Sequence, residues 1–487
     1  MIAFIYETLC SFRGVFSRSV TWLLFCMVVL GFLGADQLIG ISSFCRFWGL
    51  GESGYHALLH FFRSQAWSMD VLLLQWGAFV LSQDVAVKVG KRAVMLGDHT
   101  LVPKDGRKMP GVVTLHQESE TQTKPSYFRG HCWGAIGLLI GSLAASFCMP
   151  LALSIHQGLV HIGLGSNTED GKDTLGTRVV QMAVRFAMAH DLPCVLILDA
   201  FFPCAAVFNL AASVWSTAIR EPLVTLIIKA KSNYVAYFEP LEPERRGPGR
   251  PPKYGEKVHL MELFDHRHTF SKATCHVYGK LEEISIMAVN LLWEPTDCLI
   301  RFVLAITSRG PIVLMCSDLG QDPVLAVELY CSRIRIEVMF DMLKNLIFAF
   351  CYRFWSKLLP RHSRRPKRNK KLMGPSSQSL PVVHRCWDAY ERFVSLGAIS
   401  LGLLQLLALK FTDSVWCQFG AFMRTRSRLL PSERTVKSVV AGLLLKDLSS
   451  FAPHAILREI LSRFVRKERP PVKTSSSIGS DVRSALG

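Results

Sequence analysis

No two of the fourteen cysteines in this 487-residue chain stand as a C-x-x-C pair. That absence removes the usual spacing of a zinc finger, and most of the cysteines sit in apolar runs, where they behave as small core hydrophobes of a reducing compartment. Isolated histidines such as His99 and His131 show no metal-ligand spacing either. No internal repeat is present, which sets aside solenoids and propellers. Acid is scarce: 38 Asp+Glu against 56 Lys+Arg leave a formal charge of +18 and a pI near 9.4. Such a balance favours a polyanionic partner through counterion release, and DNA, RNA and anionic membrane surfaces all meet it. The shortage is sharpest from Asn345 to Trp387, which has no acidic residue.

What is present is most informative at Tyr330, Arg333, Glu337 and Lys344, spaced Y-x2-R-x3-E-x6-K. Asp322-Pro323 offers a side-chain N-cap followed by the ring tolerated at the first helical position, so the segment is predicted to be helical. At about 100° per residue, one helix places the four side chains within roughly 60° of each other. A carboxylate, two cations and a phenol on one face suit a divalent metal bound to a phosphodiester: the acid holds the metal, Arg333 and Lys344 meet phosphate oxygens, and Tyr330 donates to one. The bland alternative is an amphipathic helix with a solvated charged stripe.

This signature resembles the DDE transposases of bacterial insertion sequences, in the branch defined by the Tyr-Arg-Glu-Lys pattern. The resemblance implies an α/β fold with an RNase H-like core, a β-rich insertion and a helical N-terminal domain. It implies that Glu337 is the third metal ligand and that two aspartates lie upstream, each at the end of a core strand. Two Mg²⁺ ions, with Mn²⁺ as a possible substitute, would be held by the three acids. Double-stranded DNA would be the partner, as terminal inverted repeats and target, bound by a homodimer in the bacterial cytoplasm at the nucleoid.

Asp98 and Asp199 are the candidates for those aspartates. Asp98 closes the short apolar run of Arg92-Ala-Val-Met-Leu-Gly-Asp, and Asp199 closes Pro193-Cys-Val-Leu-Ile-Leu-Asp, a continuous apolar run of the kind a strand buried on both faces shows. Asp199 and Glu337 are 138 residues apart, too far for a simple connection. Strand-like runs fill that gap at Leu223–Ala230, Val258–Phe264, Ile284–Trp293, Leu299–Thr307 and Ile312–Met315. Two rival acids stay open: Asp318 also ends an apolar run, reading better as a turn residue, and Asp341 lies one turn beyond Glu337.

Two stretches suggest a membrane instead. Half of the chain is hydrophobic, mean hydropathy is +0.26, and Trp133–Ile155 is uncharged over 23 residues, enough for one span. Ser19–Ala35 is a second uncharged run behind Arg13 and Arg18, in the manner of a signal sequence. Yet Gly134, Gly137, Gly141, Ser142, Ser146 and Pro150 divide the longer stretch, and two buried strands need the same length. A span there would also part Asp98 from Asp199. The expectation is buried β structure and no membrane partner.

Basic segments complete the picture. Arg353, Lys357, Arg361, Arg364, Arg365, Lys367 and Arg368 crowd behind the signature helix, interleaved at the start with Phe350, Tyr352, Phe354 and Trp355, on which bases or sugars can pack. Arg250, in Arg245-Arg-Gly-Pro-Gly-Arg-Pro-Pro, can enter a narrow minor groove or cap a rigid hairpin. The expected organisation is a helical region over 1–90 that binds DNA ends, core segments over 91–230 and 311–420, the β-rich insertion over 231–310, and a helical C-terminal region with a disordered tail over 421–487.

Overall fold

A computed structural model describes residues 1–117, 126–164, 174–217, 220–240, 252–361, 375–420, 429–450 and 453–465. Its frame is a mixed sheet in which strand β1 (Arg92–Pro103) buries Ala93, Val94, Met95 and Leu96 in succession. Strands β2 (Tyr127–Gly141) and β3 (Ser146–Ile155) form an antiparallel hairpin closed by reciprocal backbone bonds between Ser142 and Ala145. Helix α1 (Leu175–Ala189) starts at a Thr174 capping box and leads into β4 (Cys194–Leu198), whose five residues are all buried. Strand β5 (Val224–Lys229) follows. Spatial order here is β3-β2-β1-β4-β5, with β1, β2 and β3 antiparallel and β1, β4 and β5 parallel. A parallel return requires a crossover, which α1 supplies between β3 and β4.

The uncharged Trp133–Ile155 stretch is thus most of β2, a turn and β3. Ser19–Gly34 is a helix buried without a break from Leu23 to Leu33, so its uniform hydrophobicity reflects cover on all sides. Among the described residues one helical stretch, Ser377–Lys410, is long and apolar enough to cross a membrane, and 89% of its apolar window is buried.

Beyond β5 the sheet does not stop. Strands β6 (Ser271–Val277), β7 (Lys280–Trp293), β8 (Cys298–Thr307) and β9 (Gly310–Cys316) form an antiparallel meander, and β9 pairs with β5 through Cys316↔Ile227. One ladder therefore joins this meander to the strands carrying Asp98 and Asp199. The run Val258–Phe264 differs from expectation: it is a short strand, Lys257–His259, followed by a 3-10 turn over Glu262–Asp265. Its buried Leu260, Leu263 and Phe264 recur at offsets of three and four, a helical spacing rather than an alternating one.

The signature segment is also not one helix. It is α2 (Pro323–Ser332) and α3 (Ile334–Asn345), parted at Arg333. Asp322 caps α2 by accepting from the Leu325 amide at 2.7 Å. The break has a local cause: the Ser332 hydroxyl donates to the Leu329 carbonyl at 2.6 Å, the acceptor the Arg333 amide would need. That amide donates to Tyr330 instead, and the Ile336 amide donates to Arg333, so i→i+3 bonds tighten the joint.

Helix α4 (Leu380–Lys410) is the central mast. It packs on β3 and on the N-terminal helices, with Gly402 leaving room for the Trp76 ring. Its Glu391 is half-buried and accepts from the Ile155 amide at 3.0 Å. Burial pushes this carboxyl up to about 7, more than that amide bond pulls it down. Because the folded value lies above the unfolded value of about 4.3, ionisation costs stability only in the fold. Stability is expected to fall as pH rises from about 4.3 to about 7, by up to about 4 kcal/mol. Chemical unfolding across that range should show the slope, and Glu391→Gln should lessen it, leaving the share of any other carboxyl that burial raises.

Candidate active site

Register places the two aspartates. Leu96 pairs with Ile197 across the parallel β1–β4 ladder, so two residues further on Asp98 and Asp199 stand level on neighbouring strands. Side chains alternate along a strand. Gly97 faces α1, where a Cβ would come within 2.7 Å of Val179, and Asp98 points to the opposite side, toward α3. Asp199 directly follows β4. Asp98, expected at a strand end, instead lies within its strand, because β2 keeps pairing with β1 from Asp98↔Ala135 to Pro103↔Gly130. What ends there is only the parallel partner.

Asp98, Thr100, Asp199, Glu337, Asp341 and Lys344 line one cleft. Burial and the neighbouring Asp199 charge push the Asp98 carboxyl up to about 7, against the pull of Arg333. Arg333 is the internal counter-cation: Nη1 donates to Asp98 Oδ2 at 2.9 Å, and Nη2 donates to Glu337 Oε1. Burial works against the guanidinium charge, but Asp98 first, then Tyr330 and Glu337, outweigh it and raise Arg333. Lys344 Nζ donates to Thr100 Oγ1 at 2.5 Å. The Asp341 carboxylate accepts from Asn345 Nδ2 at 2.6 Å.

Tyr330 departs from the expected arrangement. It is 7% exposed, and burial pushes its phenol up to about 12. The bend at Arg333 leaves Tyr330 behind the cleft wall, where it backs Arg333 instead of facing the cleft. Asp318 accepts from the Gly320 amide at 2.8 Å in a tight turn and is not among the residues lining the cleft. Of the four interleaved aromatics, Phe350, Tyr352 and Phe354 are buried and Trp355 is exposed. Burial alternates from Tyr352 to Lys357, with the even positions inward and Arg353, Trp355 and Lys357 outward, while Phe350 lies in the turn before them. Arg250, Arg364, Arg365, Lys367 and Arg368 lie outside the described residues.

Two residues near this site carry little sequence signal. Thr100 stands two positions beyond Asp98, on the same strand face, and period-two reading would find it. Tyr278 reaches the site only through tertiary structure. With Gly279 it forms the two-residue turn between β6 and β7, at φ of 50° and 84°. Its ring lies under the Arg309 guanidinium at 3.8 Å, close enough to Arg333 and Glu337 to feel their charges. His276, two residues earlier, anchors this turn to α2 by donating its amide to Glu328 at 2.9 Å.

The donor set suits a hard divalent cation in kind: carboxylate oxygens on three elements, two of them near enough that one charge raises the other carboxyl. Among the described residues, however, no three His, Cys, Asp or Glu side chains form a ready metal cluster. Glu337 is turned to Arg333, whose guanidinium balances the acids.

Compared with known families, the chain is similar over residues 48–290 to the family described as DDE superfamily endonuclease. That match supports a DDE transposase-type family and an endonuclease-type activity. It takes in Asp98 and Asp199 and ends before Glu337. No curated protein matches the chain.

The two arms of Arg333 should differ in strength. The Asp98 and Arg333 side chains are each 16% exposed, whereas that of Glu337 is 47% exposed. Double-mutant cycles built from alanine variants in metal-free buffer should give about 1–3 kcal/mol for Asp98–Arg333 and under about 1 kcal/mol for Arg333–Glu337. Chemical unfolding measures both, and equal couplings would show that Asp98 does not anchor the guanidinium.

Proposed function

We propose that this chain is a DDE transposase, cutting phosphodiester bonds at the ends of a DNA element and joining those ends to target DNA. The observation that carries the reading is the convergence of Asp98, Asp199 and Glu337, from three distant parts of the chain, on one cleft. The β3-β2-β1-β4-β5 order, with its antiparallel and parallel halves, supports an RNase H-like core. The similarity to DDE superfamily endonucleases adds to it.

Asp98, Asp199 and Glu337 would hold Mg²⁺, two ions in the reading drawn from the family, with Mn²⁺ as substitute. Bound there, the metal supplies Lewis acidity and an activated oxygen nucleophile, water or a DNA 3′-hydroxyl. The protein's own part is placement and charge. Strands β1 and β4 fix the two aspartates against a packed sheet, which limits their movement. Lys344, anchored on Thr100, presents an ammonium at the cleft for a phosphate oxygen. Arg333 neutralises Asp98 and Glu337, and its planar fork can exchange a carboxylate for a phosphate. In the same reading a homodimer pairs the element ends.

Asp98→Asn, Asp199→Asn and Glu337→Gln should each abolish Mg²⁺-dependent cleavage of a duplex carrying the element end while leaving its binding largely intact. Each keeps side-chain shape and removes the charge that holds a cation. Full cleavage by Asp98→Asn together with its loss in Asp318→Asn would overturn this triad. Lys344→Ala should lower the cleavage rate more than the affinity.

A second measurement addresses the grip on DNA. Neutralising Arg364, Arg365, Lys367 and Arg368 together should weaken duplex binding regardless of sequence. For every phosphate that is no longer neutralised, the slope of log K against log salt should shrink by about 0.9. An unchanged slope would assign the grip to other residues.

A further inference from the structure

Trp355 takes an outward position in an alternating segment, between exposed Arg353 and Lys357. Its neighbours Phe354 and Ser356 are 3% and 4% exposed, yet Trp355 itself is 50% exposed. The backbone beneath it is pinned from two sides. Arg63 Nη2 donates to the Trp355 carbonyl at 3.2 Å. The Ser356 amide donates to the Lys108 carbonyl at 3.1 Å, and Lys108 Nζ returns a bond to the Lys357 carbonyl at 2.9 Å. A large aromatic side chain is therefore held outward on a fixed base.

Grooves flank it on both sides. One is lined by Arg63, Lys357 and Arg385 among others, the second by Arg107 and Lys108, and Arg353 belongs to both. Among the described residues of the two linings the one carboxylate is that of Asp105. Cations beside an indole face match a nucleic-acid strand whose phosphates lie along the grooves and whose base stacks on the ring. The interior of a duplex cannot use that face, because its bases are covered above and below by their neighbours. A single strand can.

The site is also connected to the cleft. Strand β1 lines the cleft at Asp98, Thr100 and Leu101, and Pro103 and Lys104 line the groove beside Trp355. Five residues of strand span about 17 Å, a distance that a few nucleotides cross.

We propose that Trp355 is the stacking platform of a binding site for unpaired nucleotides, which receives the single-stranded continuation of a DNA strand whose phosphodiester lies in the carboxylate cleft. The proposal rests on the DNA-cleaving reading and adds a substrate feature to it, a preference for DNA with an unpaired end.

The test uses the full chain and fluorescence anisotropy with two probes, a blunt duplex and the same duplex bearing a short single-stranded DNA extension. The extension should tighten binding roughly 5- to 100-fold. Trp355→Ala should lose that gain and keep its affinity for the blunt duplex, and Trp355→Phe should retain most of it. An extension of abasic nucleotides should give the unaltered protein little of the gain, which separates stacking from phosphate contact without any substitution. Equal binding of both probes, or an undiminished gain in Trp355→Ala or with the abasic extension, overturns the platform and leaves the DNA-cleaving reading standing. If neither probe binds, that reading falls as well.

Discussion

The parallel register between β1 and β4 is the constraint on which the candidate site depends. With Leu96 opposite Ile197, the two aspartates come level and one carboxylate acts on the other. A slip of one residue would turn Asp98 toward Val179 and α1, since alternation reverses every side chain at once. Four consecutive apolar residues in β1 and five in β4, buried on both faces, hold the register against that slip. The geometry of the candidate site is in that sense a property of the hydrophobic core.

Arg333 is the second determinant. A cleft that gathers several carboxylates must balance their charge or protonate, and here a guanidinium from the joint between two helices supplies the balance. The joint exists because a serine hydroxyl captures the carbonyl of the preceding turn. Ser332, whose hydroxyl is bonded to Leu329, marks the joint from which Arg333 reaches Asp98.

Much of this was legible in the sequence. Apolar runs ending in acid marked β1 and β4, and the Gly, Ser and Pro breaks of 133–155 marked a hairpin within a hydrophobic stretch. The N-cap pair Asp322-Pro323 marked the start of α2 to the residue. What could not be read was decided by contacts distant in the chain. Asp98 lies mid-strand because of β2, Tyr278 reaches the site because a hairpin is pinned to Glu328, and α2 ends early through a hydrogen bond that periodicity does not encode. The aromatics at 352 and 354 were legible in principle, for their alternation with Arg353 and Trp355 already separated inward rings from outward side chains.

The pairing of β9 with β5 has a mechanical consequence. An appended domain on a flexible tether moves independently of its host, but a meander spliced into the same hydrogen-bonded ladder has no hinge at the splice. Force applied at the far edge of the meander passes strand by strand to the floor of the carboxylate cleft.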